Sequence, residues 1–180
     1  MKNSVRGVGG AVAIAIAAAA PASGIFDHVP SGQYDDMQRQ ASLAYDRKEY
    51  ERAFELNQRA ACAGDKTSQA ILGRMYLLGQ GTAKDEVTGY AWVRFAADFN
   101  FGDFTSLARK LEAAMTAEQL SAGKAKVEAL RSNYGPAVTN MSCHGESRRG
   151  AYIIDSVVCT PEAAGGGDLL LRRCVDASAM

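Results

Sequence analysis

Six residues in this chain have side chains with obvious chemical potential: Cys62, Cys143, Cys159, Cys174, His28 and His144. Thiols and an imidazole together can hold zinc, attack as an activated nucleophile, or close as disulfides. Cys143-His144, Cys159 and Cys174 have the ligand types for zinc. The 15 and 14 residues between successive cysteines, however, lack the short paired steps of structural zinc sites. A Cys143-His144 nucleophile is disfavoured because adjacent residues seldom point the same way and no third group is identifiable to orient the base. Disulfides remain, and four cysteines in an oxidising compartment make two of them, with three possible pairings. The reading taken is Cys143 with Cys159, closing a hairpin around Gly150, and Cys62 with Cys174, tying the tail to the helical region. Cys159 with Cys174, across Gly165-Gly166-Gly167, competes with it.

The acids add no reaction centre. Asp35-Asp36 and Asp85-Glu86 are paired carboxylates, but negative charge at a helix start explains both. His28 stands alone near the amino terminus and reads as a solvated side chain. The chain contains no HExxH, no GxSxG and no glycine-rich phosphate loop. No catalytic residue, cofactor or metal is expected, and the chain does not read as an enzyme.

The compartment follows from the amino terminus. Lys2 and Arg6 precede the apolar run GVGGAVAIAIAAAA at 7–20, and Pro21-Ala22-Ser23-Gly24 supplies the small residues a signal peptidase accepts. Cleavage after Ala22 or after Gly24 both satisfy the small-x-small rule, and no cysteine at the junction marks a lipid anchor. A run of 14 residues is too short to span a bilayer, which needs about 20. Residues 1–24 therefore read as a signal peptide, and the protein as periplasmic or secreted, with no membrane span after its removal. Loss of Lys2 and Arg6 leaves 18 basic against 20 acidic side chains. Such a balance offers nucleic acid no basic surface, and the Arg148-Arg149 pair reads as a solvated loop.

The elements that position these residues are helices. In QAILGRMYLLGQGTAKDEVTGYAWVRFAA at 69–97, Leu72, Met75 and Tyr76 recur at i, i+3 and i+4, with the small Ala70 and Gly73 on the neighbouring stripe. Gly79 and Gly81 stand where the periodicity stops, which suits a helix end and turn. Asp85 offers an N-cap oxygen, with Glu86 beside it. Val87, Tyr90, Ala91, Trp92, Phe95, Ala96 and Phe99 then give a second helix more apolar surface than one hairpin can bury. Residues 50–65 lie over residues 86–101 at an offset of 36, matching Phe54 to Tyr90, Leu56 to Trp92 and Ala60-Ala61 to Ala96-Ala97. A period in the mid-thirties with two helices per unit is the mark of a tetratricopeptide-like solenoid.

The chain resembles the Sel1-like repeat family, relatives of tetratricopeptide repeats. Ala70, Leu72, Gly73, Met75, Tyr76, Gly79, Gly81, Asp85, Ala91, Trp92, Ala96 and Ala97 carry the motif. Thr82 and Asn100 depart from it, standing where the family has a branched apolar residue and often glycine. Residues 107–130, with Met115-Thr116 before Glu118-Gln119, resemble the closing segment of bacterial members, and the likeness covers residues 36–131. It implies a right-handed superhelix of helix pairs that contacts other proteins, and no activity. In such stacks the first helix of each pair lines the concave face, so Gln69, Arg74 and Leu77, with Arg109 and Lys110 in the next unit, are the expected partner contacts. The partner is a protein of unknown identity, and the oligomeric state is open. An alternative is a cell-envelope hydrolase related to cysteine-rich Sel1-like proteins, which carry cysteine pairs within each repeat that this chain lacks.

The chain then divides as follows: signal peptide 1–24, flexible lead-in 25–35, solenoid of about three helix pairs with capping helices 36–135, and cysteine-containing appendage 136–180. Helices are expected from Tyr34 to Asp46 and from Glu49 to Ala63, and after Asp103 with Leu107, Leu111 and Met115 as a stripe. A last helix begins from a capping box of Thr116 and Gln119. Tyr152–Ile154, Val157-Val158 and Leu169–Leu171 suggest a small sheet of two or three strands in the tail. The fold class is thus all-α, an αα-hairpin solenoid with a small disulfide-linked β appendage.

Overall fold

The computed structural model describes residues 25–100, 102–146, 156–163 and 168–174. Residues 1–24, expected above to be a signal peptide, and Arg148-Arg149, Tyr152–Ile154 and the triple glycine lie outside the described residues.

Two helices form the centre: α3 (Lys66–Leu78) and α4 (Glu86–Ala96). Each starts on an aspartate, whose carboxylate satisfies a backbone N–H that helix geometry leaves free. Asp65 accepts from the Ser68 N–H at 2.6 Å, and Asp85 from the Thr88 N–H at 2.9 Å. The two helices meet backbone to backbone. A Cβ placed on Gly73 would lie 2.8 Å from the carbonyl oxygen of Gly89, and one on Gly89 would lie 2.9 Å from that of Gly73. The turn between them is held against the preceding unit: Gly81 has φ +70°, and a Cβ there would sit 2.2 Å from the carbonyl oxygen of Tyr50, at the start of the helix before α3.

Helices α1 (Ser31–Asp46) and α2 (Tyr50–Ala63) form the pair before it, and α5 (Gly102–Ala114) and α6 (Ala117–Tyr134) follow. The Thr116–Gln119 capping box is present in both directions. Helices α5 and α6 both pack chiefly on α4, so the last unit closes over the central pair. The main core joins Leu72, Tyr90, Trp92 and Phe95 to Val127, Leu130 and Tyr134, and the Trp92 and Tyr134 rings stack at 5.8 Å. Trp92 is 2% exposed and serves the core.

Two expectations need correction. Residues 25–35 are not a flexible lead-in: β1 (Phe26–Pro30) is a strand, and Ser31 already opens α1. Nor does the appendage form one sheet. A short helix, α7 (Pro136–Thr139), leads into β2 (Met141–Glu146), which pairs antiparallel with β3 (Ser156–Pro161); β4 (Asp168–Arg172) instead pairs antiparallel with β1. The reason is burial. Val29 on β1 and Leu169 and Leu171 on β4 join Tyr34, Met37, Ala60 and Ala63 in a second core, and only side by side can the two strands cover that face of α1 and α2. The fold remains mostly helical, and no described helix is long and apolar enough to cross a membrane.

Disulfides join Cys143 to Cys159 across β2 and β3, and Cys62 of α2 to Cys174 just after β4.

Candidate functional groove

A groove of about 530 Å³ opens between α1 and α3. These are the first helices of consecutive pairs, and their parallel course leaves a channel whose floor is α2. Gln38, Ala41 and Tyr45 line it from α1, Ser68, Ile71 and Arg74 from α3, and Val157, Val158 and Cys159 of β3 close one side. The lining mixes apolar surface with a few fixed polar groups, the usual make-up of a recognition site.

The inner end is tightly hydrogen bonded. Gln38 Nε2 donates to Tyr34 Oη and to Asp65 Oδ2, both at 3.1 Å. Burial pushes the Asp65 carboxyl above the ordinary range, against the pull of the Ser68 N–H. Burial and the nearby Asp65 charge push the Tyr34 hydroxyl up. On the floor, Asn57 is 3% exposed and its Nδ2 donates to the Ala53 carbonyl at 2.8 Å. At the outer end stand the exposed Asp46 and Arg74.

The five expected contact residues do not form one surface. Arg74 is exposed and borders the groove, whereas Arg109 and Lys110 are exposed on α5 and do not border it. Leu77 is half-buried, packed with Val93 and Ala97 and against the Gly89 position. Gln69 is fully buried, so its placement as an exposed contact is corrected. Its Nε2 donates to the Ala61 carbonyl at 3.0 Å and its Oε1 accepts from Lys66 Nζ at 3.1 Å, which ties α3 to α2. The motif residues Ala70, Leu72, Gly73, Met75, Ala91, Trp92, Ala96 and Ala97 are buried, Tyr76 is half-buried, and Gly79, Gly81 and Asp85 shape the turn.

Sequence reasoning missed Asn57, Gln38 and Val157. A signal for Asn57 was present: it lies on the Ala53–Ala60–Ala61 stripe of α2, where a polar side chain interrupts an otherwise apolar face. Gln38 and Val157 meet the groove only through packing of elements distant in sequence.

The remaining chemistry is structural. His28 and His144 are exposed, the latter 3.7 Å from Glu146. All four cysteines are in disulfides, which removes the thiolates that the zinc reading and a thiol nucleophile both need. A charged cluster joins α4 to α6: Arg131 reaches Asp98 at 2.6 and 2.8 Å, and Arg94 reaches it at 2.9 Å. Burial alone would raise the Asp98 carboxyl, but the two guanidinium groups outweigh it and hold it below the usual range. Among the described residues no group of three or more His, Cys, Asp or Glu is placed to hold a metal ion.

No protein-family model matches the chain, and comparison with curated proteins finds no match. Among solved structures, it is similar to a protective antigen present in uropathogenic Escherichia coli strains, described as displaying an SLR fold. The likeness has 26% identity and a TM-score of 0.47, and covers 50% of this chain and 20% of that one. The chain thus spans about a fifth of that protein's length.

Proposed function

We propose that this chain is an exported protein-interaction module of Sel1-like type, working in the periplasm or beyond it, with its partner seated in the groove between α1 and α3. The observation that carries the reading is the groove itself. It is a channel of about 530 Å³ between two parallel helices, apolar along Ala41 and Ile71, with the exposed Arg74 at its mouth. Two disulfides and the amino-terminal export signal support an oxidising compartment. Each of the four thiols is consumed in a bridge, so the hydrolase alternative has no thiol nucleophile and draws no support from the groove.

Affinity capture from a cell-envelope extract tests the proposal, run in parallel with wild type and Arg74→Glu. The expected result is one dominant partner retained by wild type and reduced about tenfold or more by the variant, which is exposed and leaves the fold unchanged. Equal capture by both would remove Arg74 from the interface, and no enriched partner would overturn the reading.

A further inference from the structure

Among the described residues, the pair of β2 and β3 leaves part of one main-chain edge without a partner, and that edge faces the groove. The Cα atoms of Cys143 and Cys159 are 4.0 Å apart, the close spacing of an antiparallel pair that exchanges no hydrogen bonds. The parity is confirmed beyond the strand end, where the Glu162 N–H donates to the Asn140 carbonyl at 2.7 Å. Val158 and Thr160 therefore direct their N–H and C=O groups at β2, and Val157 and Cys159 direct theirs away from it. Among the described residues, no backbone group bonds to Val157 or Cys159 on that outer side. Further along, the same edge does pair, through the bridge of Ala163 with Leu169.

The side that this edge faces is the groove. Successive side chains on a strand leave opposite faces, yet Val157 and Val158 both border the same cavity. A cavity that meets both neighbours lies along the strand's edge. On the floor, Asn57 has its Nδ2 engaged by Ala53, which leaves Oδ1 as an acceptor for a main-chain N–H. The exposed charges of the groove, Asp46 and Arg74, have opposite signs and no ion-pair partner among the described residues. At the accessible mouth these two balance, so it favours neither an acidic nor a basic tract; hydrogen bonding to the main chain is left to supply the affinity, and the small apolar lining sets which side chains fit.

We propose that the free edge of β3 receives an extended segment of a partner protein as an added strand. The segment is near neutral, pairs its backbone with Val157 and Cys159, and lays small or apolar side chains over Ala41 and Ile71. This inference rests on the protein-binding reading above and specifies how the partner is held.

The test uses eight-residue peptides selected from a random display library on the exported, oxidised protein and then synthesised. N-methylation of alternate backbone amides in one register should weaken binding about tenfold or more, and in the other register should leave it unchanged. Val157→Pro removes an N–H that β2 does not use, so it should cause the same loss, while Val157→Ala should bind as wild type. Hydrogen exchange needs no variant: the Val157 and Cys159 amides should slow when peptide is added. If peptides bind but Val157→Pro and both methylation registers leave affinity unchanged, the strand-edge inference falls and the protein-binding reading stands. If no peptide is selected and no partner is captured, both fall. If the same amides are protected without peptide, in step with formation of a dimer, the occupant is a second copy and the inference is overturned.

Discussion

The central pair α3 and α4 and the two strand ribbons hold together by different means. In the pair, Leu72, Met75, Trp92 and Phe95 are each 2% exposed or less, and Gly73 and Gly89 let the backbones touch. Its partners are close in sequence, so little chain must be ordered before they meet. The ribbons join residues 26–30 to 168–172 and 141–146 to 156–161, and two-stranded pieces are marginal by themselves. Burial of Val29, Leu169 and Leu171 against α1 and α2 supplies part of what they lack, and the two disulfides supply the rest. One region is stabilised by its folded contacts, the other largely by limits placed on the unfolded chain.

The sharpest way to break this contrast is to weaken the pair. Trp92→Ala empties a site stacked on Tyr134, and we expect a loss of about 3–5 kcal/mol in urea unfolding. Most of the helical circular dichroism should go with it, because the same core joins α3, α4 and α6. A loss below about 1 kcal/mol would mean that the core relaxes around the gap. The tail should respond differently. The double variant Cys62→Ser and Cys174→Ser should cost about 2–4 kcal/mol. It should expose residues after α7 to protease while the helical signal at 25 °C persists. Helices lost together with the tail would show that the ribbons are integral to the solenoid.

Legibility in the sequence divides along the same line. The α3–α4 hairpin, the Asp85 cap, the turn at Gly79 and Gly81, and the Thr116–Gln119 box could all be read, because each depends on residues within a few positions of one another. The strand at Phe26–Pro30 could not: its partner lies some 140 residues away, and only the shared burial of Val29 with Leu169 and Leu171 reveals the match. Gln69 was misplaced for a related reason. A polar residue on a helix reads as exposed unless its acceptors and donors are known, and here they are the Ala61 carbonyl and Lys66. The groove stands between these cases. The helices that form it were legible, but β3, which closes its side, reaches it only through tertiary packing.

Lys66 lies at the seam of the two regions and gives the finest test. Its backbone N–H meets Cys159 Sγ at 3.4 Å, while its side chain enters the helical core, 4.2 Å above the Phe95 ring and 3.1 Å from Gln69 Oε1. Burial lowers the Lys66 ammonium to about 8 from the ordinary 10.5, with Asp98 and Asp65 pulling the other way. Between those values the unfolded chain binds a proton that the folded chain has released, so stability rises with pH across that window. The cost of the buried charge is fully present at pH 7. Lys66→Met removes the titration. Wild type should therefore gain about 1–3 kcal/mol relative to the variant between pH 7 and pH 9.5, before the tyrosines titrate. Urea midpoints for the two proteins across that range measure the difference. Parallel curves would show that the ammonium reaches water, and that the seam between ribbon and solenoid is open where the structure closes it.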